Sequence, residues 1–383
     1  MTIAVLYPRF GHPAVEERYA SWQTQMLLRA SSAPVHFYDP DEPASYAVAA
    51  VESEHVLAVT DPLLLPSTSL PQRLREALAQ TDAVAALPVS NESANPAQRR
   101  AADVPYMTLR ELQSMTAAWE RRARAVERIT WDRSDPAAFL CRTEMLDRAV
   151  DPVRRVLDGQ EVVISATDYI HQWSSMRGQV RMDLLERIDT GAKTILEFGC
   201  GEATLGEALK KRQRCRVVGV ELDPQAAAVA RRRIDDVYCA DVREIVSLLD
   251  ERFDVIIGGD IVEHLDEPWS FLADLRRLAA PGGKLLLSLP NLANGSVVGD
   301  LLRGRFDYVY MGITCVGHLR FFTRQTIEEM LAIAGWSAVS IEPQQLTITP
   351  QAEELMTRLK AAGIDFSHDD LAASGYYVTA QNR

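Results

Sequence analysis

The chain has 383 residues, 47% of them hydrophobic and 25% charged, with a formal net charge of −12. This is an ordinary soluble composition, and the length favours two domains, each able to bury its own core. The acidic balance disfavours general attraction to nucleic acid or to an anionic membrane.

Local signals agree with that balance. The clusters Arg99-Arg100, Arg121-Arg122-Arg124 and Arg231-Arg232-Arg233 fall in helices or loops and read as solvated faces. Cys141, Cys200, Cys215, Cys239 and Cys315 are odd in number, dispersed and without a C-x-x-C pair, which points to reduced thiols and a cytoplasmic protein. No stretch approaches the ~18 apolar residues of a membrane span. The opening MTIAVLYPRF lacks a basic leader and reads as a first strand.

In chain order, Ile3 to Tyr7 is strand-like, Val15 to Arg29 has helical periodicity, and Val35 to Tyr38 is strand-like again. HVLAVTDPLLLPSTSLPQRLREALAQ reads as an apolar strand ending at Asp61, a proline-rich turn and an amphipathic helix. Asp82 to Val89 is a further strand, followed by AAFLCRTEML at 137–146 and VVISATDYIHQW at 162–173. This order resembles a GT-A-type glycosyltransferase domain. The resemblance implies carboxylates holding Mg²⁺ or Mn²⁺ on a sugar-nucleotide diphosphate. Only Asp61 stands at the strand end, while Asp39 and Asp41 are either a displaced pair or a plain surface turn. Residues 1–165 are therefore expected to form a degenerate glycosyltransferase-like α/β domain that binds or docks and transfers no sugar.

Residues 166–383 form the second expected domain. DYIHQWSSMR leads into an amphipathic helix, Val180 to Ile188, and then into TILEFGCGEATLG at 194–206. The latter is a buried strand turning sharply into a helix, with glycines that let a ligand lie against bare backbone and amides that offer it donors. Thr204 stands where a dinucleotide fingerprint needs a small residue, so the match to an NAD site is poor. Later strands end at Glu221, at Asp241 in ADV, and at Gly258-Gly259-Asp260, placing acidic or small groups along one crevice. A carboxylate at Glu221 can take both hydroxyls of a ribose.

Together with FDVIIGGDIVEHL, PGGKLLLSLPN and GHLRFFT, these motifs resemble the class I S-adenosylmethionine-dependent methyltransferases, most of all the branch acting on quinone precursors, sugars and other small molecules. The resemblance implies a doubly wound Rossmann-like seven-stranded sheet whose last strand is antiparallel and lies between the fifth and sixth. It implies S-adenosyl-L-methionine as cofactor, with Glu221 on the ribose, Asp241 on the adenine edge, and Glu197, Gly199, Cys200 and Gly201 around the amino-acid part. Leu222, Val242 and Asp260 line the same crevice. The element from Tyr169 through Trp173 to Arg177 either covers the methionine end or is a linker packing on the sheet edge. Ala203 departs from the family, many members of which have a third glycine there.

If the acceptor is a hydroxyl, a general base is useful, and histidine is tuned for it near neutral pH. His264 in DIVEHL and His318 in GHLRFFT are the candidates, although His264 can equally be a helix-start residue bonded to backbone. Residues 291–314, with Arg303, Arg305, Phe306, Tyr308 and Tyr310, are long enough to cap an acceptor. Asp260, Glu263, His264 and His318 resemble the E-x-x-E-H metal site of small-RNA 2′-O-methyltransferases. The acidic chain without an RNA-binding module argues for a non-RNA acceptor, and no metal is assigned. The expected activity is O-methylation of a small molecule or glycan; the alternatives are a scaffold in glycan assembly and a bifunctional glycosyl and methyl transferase.

Overall fold

The computed structural model describes residues 3–8, 35–38, 53–60, 63–64, 67, 69–91, 93, 95–122, 125–132, 135–146, 156–172, 179–309 and 311–382. The helix expected over 15–29, and Asp39, Asp41, Asp61, Trp173, Arg177 and Tyr310, lie outside these residues. The chain divides into two compact units, Met1–Ser174 with Phe306–Met311 and Ser175–Arg305 with Gly312–Arg383.

The first unit carries strands β1 (Ile3–Pro8), β2 (Val35–Tyr38), β3 (His55–Val59), β4 (Leu63–Leu64), β5 (Ala85–Ser90), β6 (Val126–Thr130), β7 (Ala138–Arg142) and β8 (Glu161–Gln172). They form a mixed sheet in the order β2-β1-β3-β7-β5-β8-β4, with β6 also on β8. The boundary expected at 165/166 falls inside β8, whose pairing with β5 resumes after an irregularity and runs on to Ile170. All five residues of β3 are buried, which explains a strand apolar on both faces. The helix Leu70–Ala79 covers the sheet with Leu70, Leu74, Ala77 and Leu78, the spacing of a single helix face. A second helix, Leu109–Glu120, opens on a reciprocal capping box between Thr108 and Glu111 and buries Leu112, Met115 and Trp119.

The second unit carries β9 (Thr194–Phe198), β10 (Arg216–Glu221), β11 (Asp236–Cys239), β12 (Phe253–Gly259), β13 (Ala279–Pro290), β14 (Trp336–Leu346) and β15 (Ala373–Asn382). Their order is β11-β10-β9-β12-β13-β15-β14. The first five run parallel, while β15 is antiparallel to both β13 and β14, as the family resemblance implied. β13 starts earlier than its apolar core suggests because Ala279 already pairs with Phe253 before the register shifts at the Pro281-Gly282-Gly283 turn. The helix expected over 180–188 is a single turn, Met182–Leu185, preceded by a non-helical Arg181.

Helices cover both faces. Phe198, Val220, Phe253, Leu272, Leu287 and Met330 belong to one apolar cluster; Ile195, Leu209, Val217, Ile257 and Leu286 belong to another. Alternate residues of β9 thus enter opposite layers, the period-two signature of a sheet buried on both sides. All five cysteines are free thiols. No helix among the described residues is long and apolar enough to cross a membrane.

Candidate active site

The parallel strands of the second unit bring their C-terminal ends to one edge, and the turn after β9 sets its shape. Gly199 has φ +70° and Gly201 φ +54°. A Cβ on Gly199 would lie 2.2 Å from Ile261 Cδ1, whereas nothing lies within 4 Å of the corresponding position on Gly201. One glycine is demanded by packing, and the other leaves bare backbone open. The Gly201 amide donates to Glu221 Oε2 at 2.7 Å, and Glu221 Oε1 accepts from the Asp223 amide at 2.8 Å. Leu222, next to them, is 49% exposed.

Ala203 also adopts a left-handed conformation, φ +57°, at the start of the helix Thr204–Arg212. The strain of a Cβ there is offset by full burial of the methyl in the apolar cluster that also holds Leu205 and Leu209. Cys200 donates through its thiol to the Gly201 carbonyl within the turn at 3.7 Å. Its side chain is buried against Gly219, and burial pushes the thiol far above its usual range.

Glu197 is buried, accepts from the Gly206 amide and leaves Oε2 without a partner; burial raises its pKa to about 8. Asp241 caps the helix Val242–Leu248 by accepting from the Arg243 amide at 2.9 Å. It is further held by the Arg243 guanidinium at 2.6 and 3.0 Å, which depresses its pKa. Val242 begins that helix and packs against the core.

Asp260 directly follows β12, with φ +55°. It accepts from Arg181 Nη1 at 2.7 Å and from Ser288 Oγ at 2.9 Å. Arg181 also forks onto Asp183, Nε to Oδ1 at 3.0 Å and Nη2 to Oδ2 at 2.8 Å, and Tyr377 donates to the same carboxylate at 2.8 Å. Arg181 was missed in the sequence. Its signal was a basic residue just before the first helix of the unit, but Arg177 four positions earlier reads the same way. Tyr169, the other residue of the expected cover, is buried in the first unit with its ring edge-on to Trp119.

Beyond Asp260, the single 3₁₀ turn Val262–His264 brings Glu263 and His264 against His318. His264 Nδ1 lies 3.0 Å from the Gly317 carbonyl and His318 Nδ1 lies 3.1 Å from the Ile313 carbonyl. The rings meet edge to face with centroids 5.0 Å apart. Burial lowers both imidazole pKa values, that of His318 to about 4, so both rings are neutral at pH 7. Glu263 is 1% exposed, and burial raises its pKa well above the carboxylate range. Of the four residues in the D-x-x-E-H pattern and the distant histidine, three come together, while Asp260 turns to Arg181 and Ser288. Residues 291–314 begin with the helix Gly295–Leu301, and Phe306 packs edge-on to Tyr308 at 5.2 Å.

Residues 167–341 match the family described as a methyltransferase domain. A protein named ubiquinone biosynthesis O-methyltransferase from Pseudomonas paraeruginosa is 33% identical over 112 residues, 28% of this chain and 48% of that one. The protein of the same name from Coxiella burnetii is 28% identical over 156 residues, 37% of this chain and 65% of its own. The chain thus spans between about half and two thirds of the length of these curated relatives. A crystal structure of a SAM-dependent methyltransferase from Archaeoglobus fulgidus aligns with TM-score 0.39 and 17% identity, over 52% of this chain and 91% of that one. Residues 167–341 are thus similar to a methyltransferase domain, and the second unit has the strand order that the resemblance to class I S-adenosylmethionine-dependent methyltransferases implied. The cofactor of that class is S-adenosyl-L-methionine.

Proposed function

We propose that this chain is an O-methyltransferase that acts on a hydroxyl of a small molecule. The observation that carries the reading is the pair of imidazoles at His264 and His318, each fixed through Nδ1 by a backbone carbonyl. A carbonyl only accepts, so each Nδ1 holds the proton and each Nε2 keeps a lone pair. An amine acceptor carries its own lone pair, whereas a hydroxyl needs a group to draw off its proton. The curated relatives are named as O-methyltransferases, which supports the same choice.

The cofactor fits the residues at the strand ends. Gly201 leaves open backbone, and the Glu221 carboxylate has two acceptor positions beyond those used by Gly201 and Asp223. We assign Glu221 to the ribose hydroxyls, Leu222 and Asp241 with Val242 to the adenine, and the loop 199–201 with Glu197 to the amino-acid part. Arg181 with Asp260, instead of Arg177, is assigned to the methionine end. S-Adenosylmethionine supplies an electrophilic methyl on a sulfonium. The chain's own task is to orient that group, exclude water and hold the acceptor oxygen in line, at a near-attack separation of about 3 to 3.5 Å.

The test is incubation with methyl-labelled S-adenosylmethionine and a cell extract, fractionated into small metabolites, lipid-linked glycans, RNA and protein. Label in the small-metabolite fraction is the expected result. Label confined to glycans would move the acceptor class, and cofactor binding without transfer to any fraction would overturn the enzyme reading in favour of a scaffold.

A further inference from the structure

Arg243 commits all three guanidinium nitrogens to two carboxylates. Nε donates to Asp241 Oδ1 at 3.0 Å, Nη2 to Asp241 Oδ2 at 2.6 Å and Nη1 to Asp266 Oδ1 at 2.8 Å. The first two bonds are the parallel fork that fixes a carboxylate in one plane. The third anchors the fork. Asp266 stands two residues beyond His264 and its carbonyl accepts from the Arg320 guanidinium, while the Arg320 amide donates to the Glu263 carbonyl at 3.0 Å. One side chain thus ties the edge proposed for the adenine to the two segments that carry the histidines.

The fork leaves little of Asp241 for anything else. A carboxylate has about four acceptor positions. Oδ1 takes the Arg243 amide at 2.9 Å as well as Nε, and Oδ2 takes Nη2. Among the described contacts, one position remains, on Oδ2. The Asp241 side chain is 26% exposed, so a ligand arriving from solvent can reach it. The guanidinium also holds the carboxyl below its usual pKa range and so keeps it ionised at neutral pH. An ionised carboxylate only accepts, and its remaining lone pair therefore selects a donor. The exocyclic amino group of adenine is such a donor, whereas the carbonyl that replaces it in hypoxanthine is not.

We propose that Arg243 is a positioning residue for the cofactor: its fork, anchored on Asp266, presents the free Oδ2 lone pair of Asp241 to the adenine amino group and so sets the selection for adenine. Fold stability gives no reason for the arrangement, because the side chains of Arg243 and Asp266 are 51% and 58% exposed and ion pairs in that setting stabilise little. Aim is what a planar guanidinium supplies and a point charge does not. The inference rests on the assignment of Asp241 to the adenine and is independent of the acceptor.

The experiment titrates the full chain by calorimetry with S-adenosylhomocysteine and with S-inosylhomocysteine, in which a carbonyl replaces the adenine amino group. The unmodified chain is expected to prefer the adenine ligand by about tenfold or more, the lower end for one hydrogen bond to a charged group. Arg243→Gln and Arg243→Lys are expected to keep the parent's unfolding temperature and to bring that preference below about threefold, because neither supplies a fork. The loss should fall on the adenine ligand, with affinity for the hypoxanthine ligand held. If both variants lose affinity for the two ligands by one common factor, Arg243 is a structural contact alone and the proposal is overturned. Variants that keep the parent's preference overturn it as well, and leave the cofactor assignment standing. Equal binding of the two ligands by the unmodified chain would show that Asp241 does not read the amino group. Binding of neither ligand by the unmodified chain would end the cofactor reading, and the proposal with it.

Discussion

Gly201 and Glu221 are joined directly, the amide at the tip of the turn after β9 donating to the carboxylate at the end of β10 over 2.7 Å. The contact makes the glycine loop and the proposed ribose acceptor one rigid piece before any ligand arrives. Replacing Glu221 with Ala removes both the ligand's acceptor and the loop's anchor. The expected loss of S-adenosylmethionine affinity is about 1.5 to 3 kcal/mol, or roughly 10- to 150-fold in Kd by calorimetry. Unchanged affinity would overturn the ribose assignment.

Glu197 makes the stability of the cofactor-free protein depend on pH. Its folded pKa, raised by burial to about 8, lies above its ordinary value of 4.5. Folding therefore takes up a proton between those two values, and stability falls as pH rises through that window by about 1.4 kcal/mol per pH unit. Glu197→Gln keeps an oxygen for the Gly206 amide and has no proton to lose. The variant's stability relative to the parent is expected to grow steadily from pH 5 to pH 8 in urea unfolding. A difference flat with pH would show that Glu197 titrates normally.

The second unit's sheet was legible because the parallel strands β9, β10 and β12, buried along most of their length, leave apolar runs that stop at Gly199, Glu221 and Gly259. The site was legible less evenly. His264 and His318 are separated by 54 positions and meet because Leu319 and Arg320 pair with the backbone of Glu263. Glu263 itself read as one more acid on a helix start; nothing in DIVEHL says that its carboxyl is sealed without partners. Arg181 and Arg177 are indistinguishable by residue type, and the contact of Arg181 with Asp260 across 79 positions has no signal in the sequence. The domain boundary expected at 165/166 cuts a strand in two, because the irregularity in β8 hides from the sequence that pairing with β5 resumes at Tyr169.

In the first unit, Arg73 and Asp168 form a buried ion pair at 2.5 Å, the carboxylate side chain having no exposure. Ser165 donates to the other carboxylate oxygen at 2.6 Å, and Arg73 reaches Thr167 Oγ1 at 3.1 Å. Arg73→Ala strands a buried charge and is expected to cost about 3 to 5 kcal/mol. Arg73→Ala with Asp168→Asn should recover part of that loss, because the stranded charge is then gone. Thermal unfolding of the three proteins checks both expectations.

Arg181 serves two carboxylates at once, Asp183 through Nε and Nη2 and Asp260 through Nη1, and its Nη2 also lies 3.3 Å from Ser288 Oγ. Only a planar guanidinium has donors in the directions such a bridge requires. Lysine keeps the charge but supplies a single point of contact, so Arg181→Lys is expected to lose one of the two ion pairs, at a cost of about 1 to 2 kcal/mol in urea unfolding. The larger effect should appear on the cofactor. Asp260 holds a left-handed backbone conformation directly after β12, with Arg181 and Ser288 as the only hydrogen-bond donors to its carboxylate among those described. Loosening it disturbs the edge proposed to meet the methionine end. S-Adenosylmethionine affinity is expected to fall at least tenfold in Arg181→Lys and further in Arg181→Ala, at a roughly 1.4 kcal/mol step per tenfold. If calorimetry finds both variants binding as tightly as the parent while their stability falls, Arg181 is a structural bridge alone, and the methionine end lies elsewhere along the strand ends.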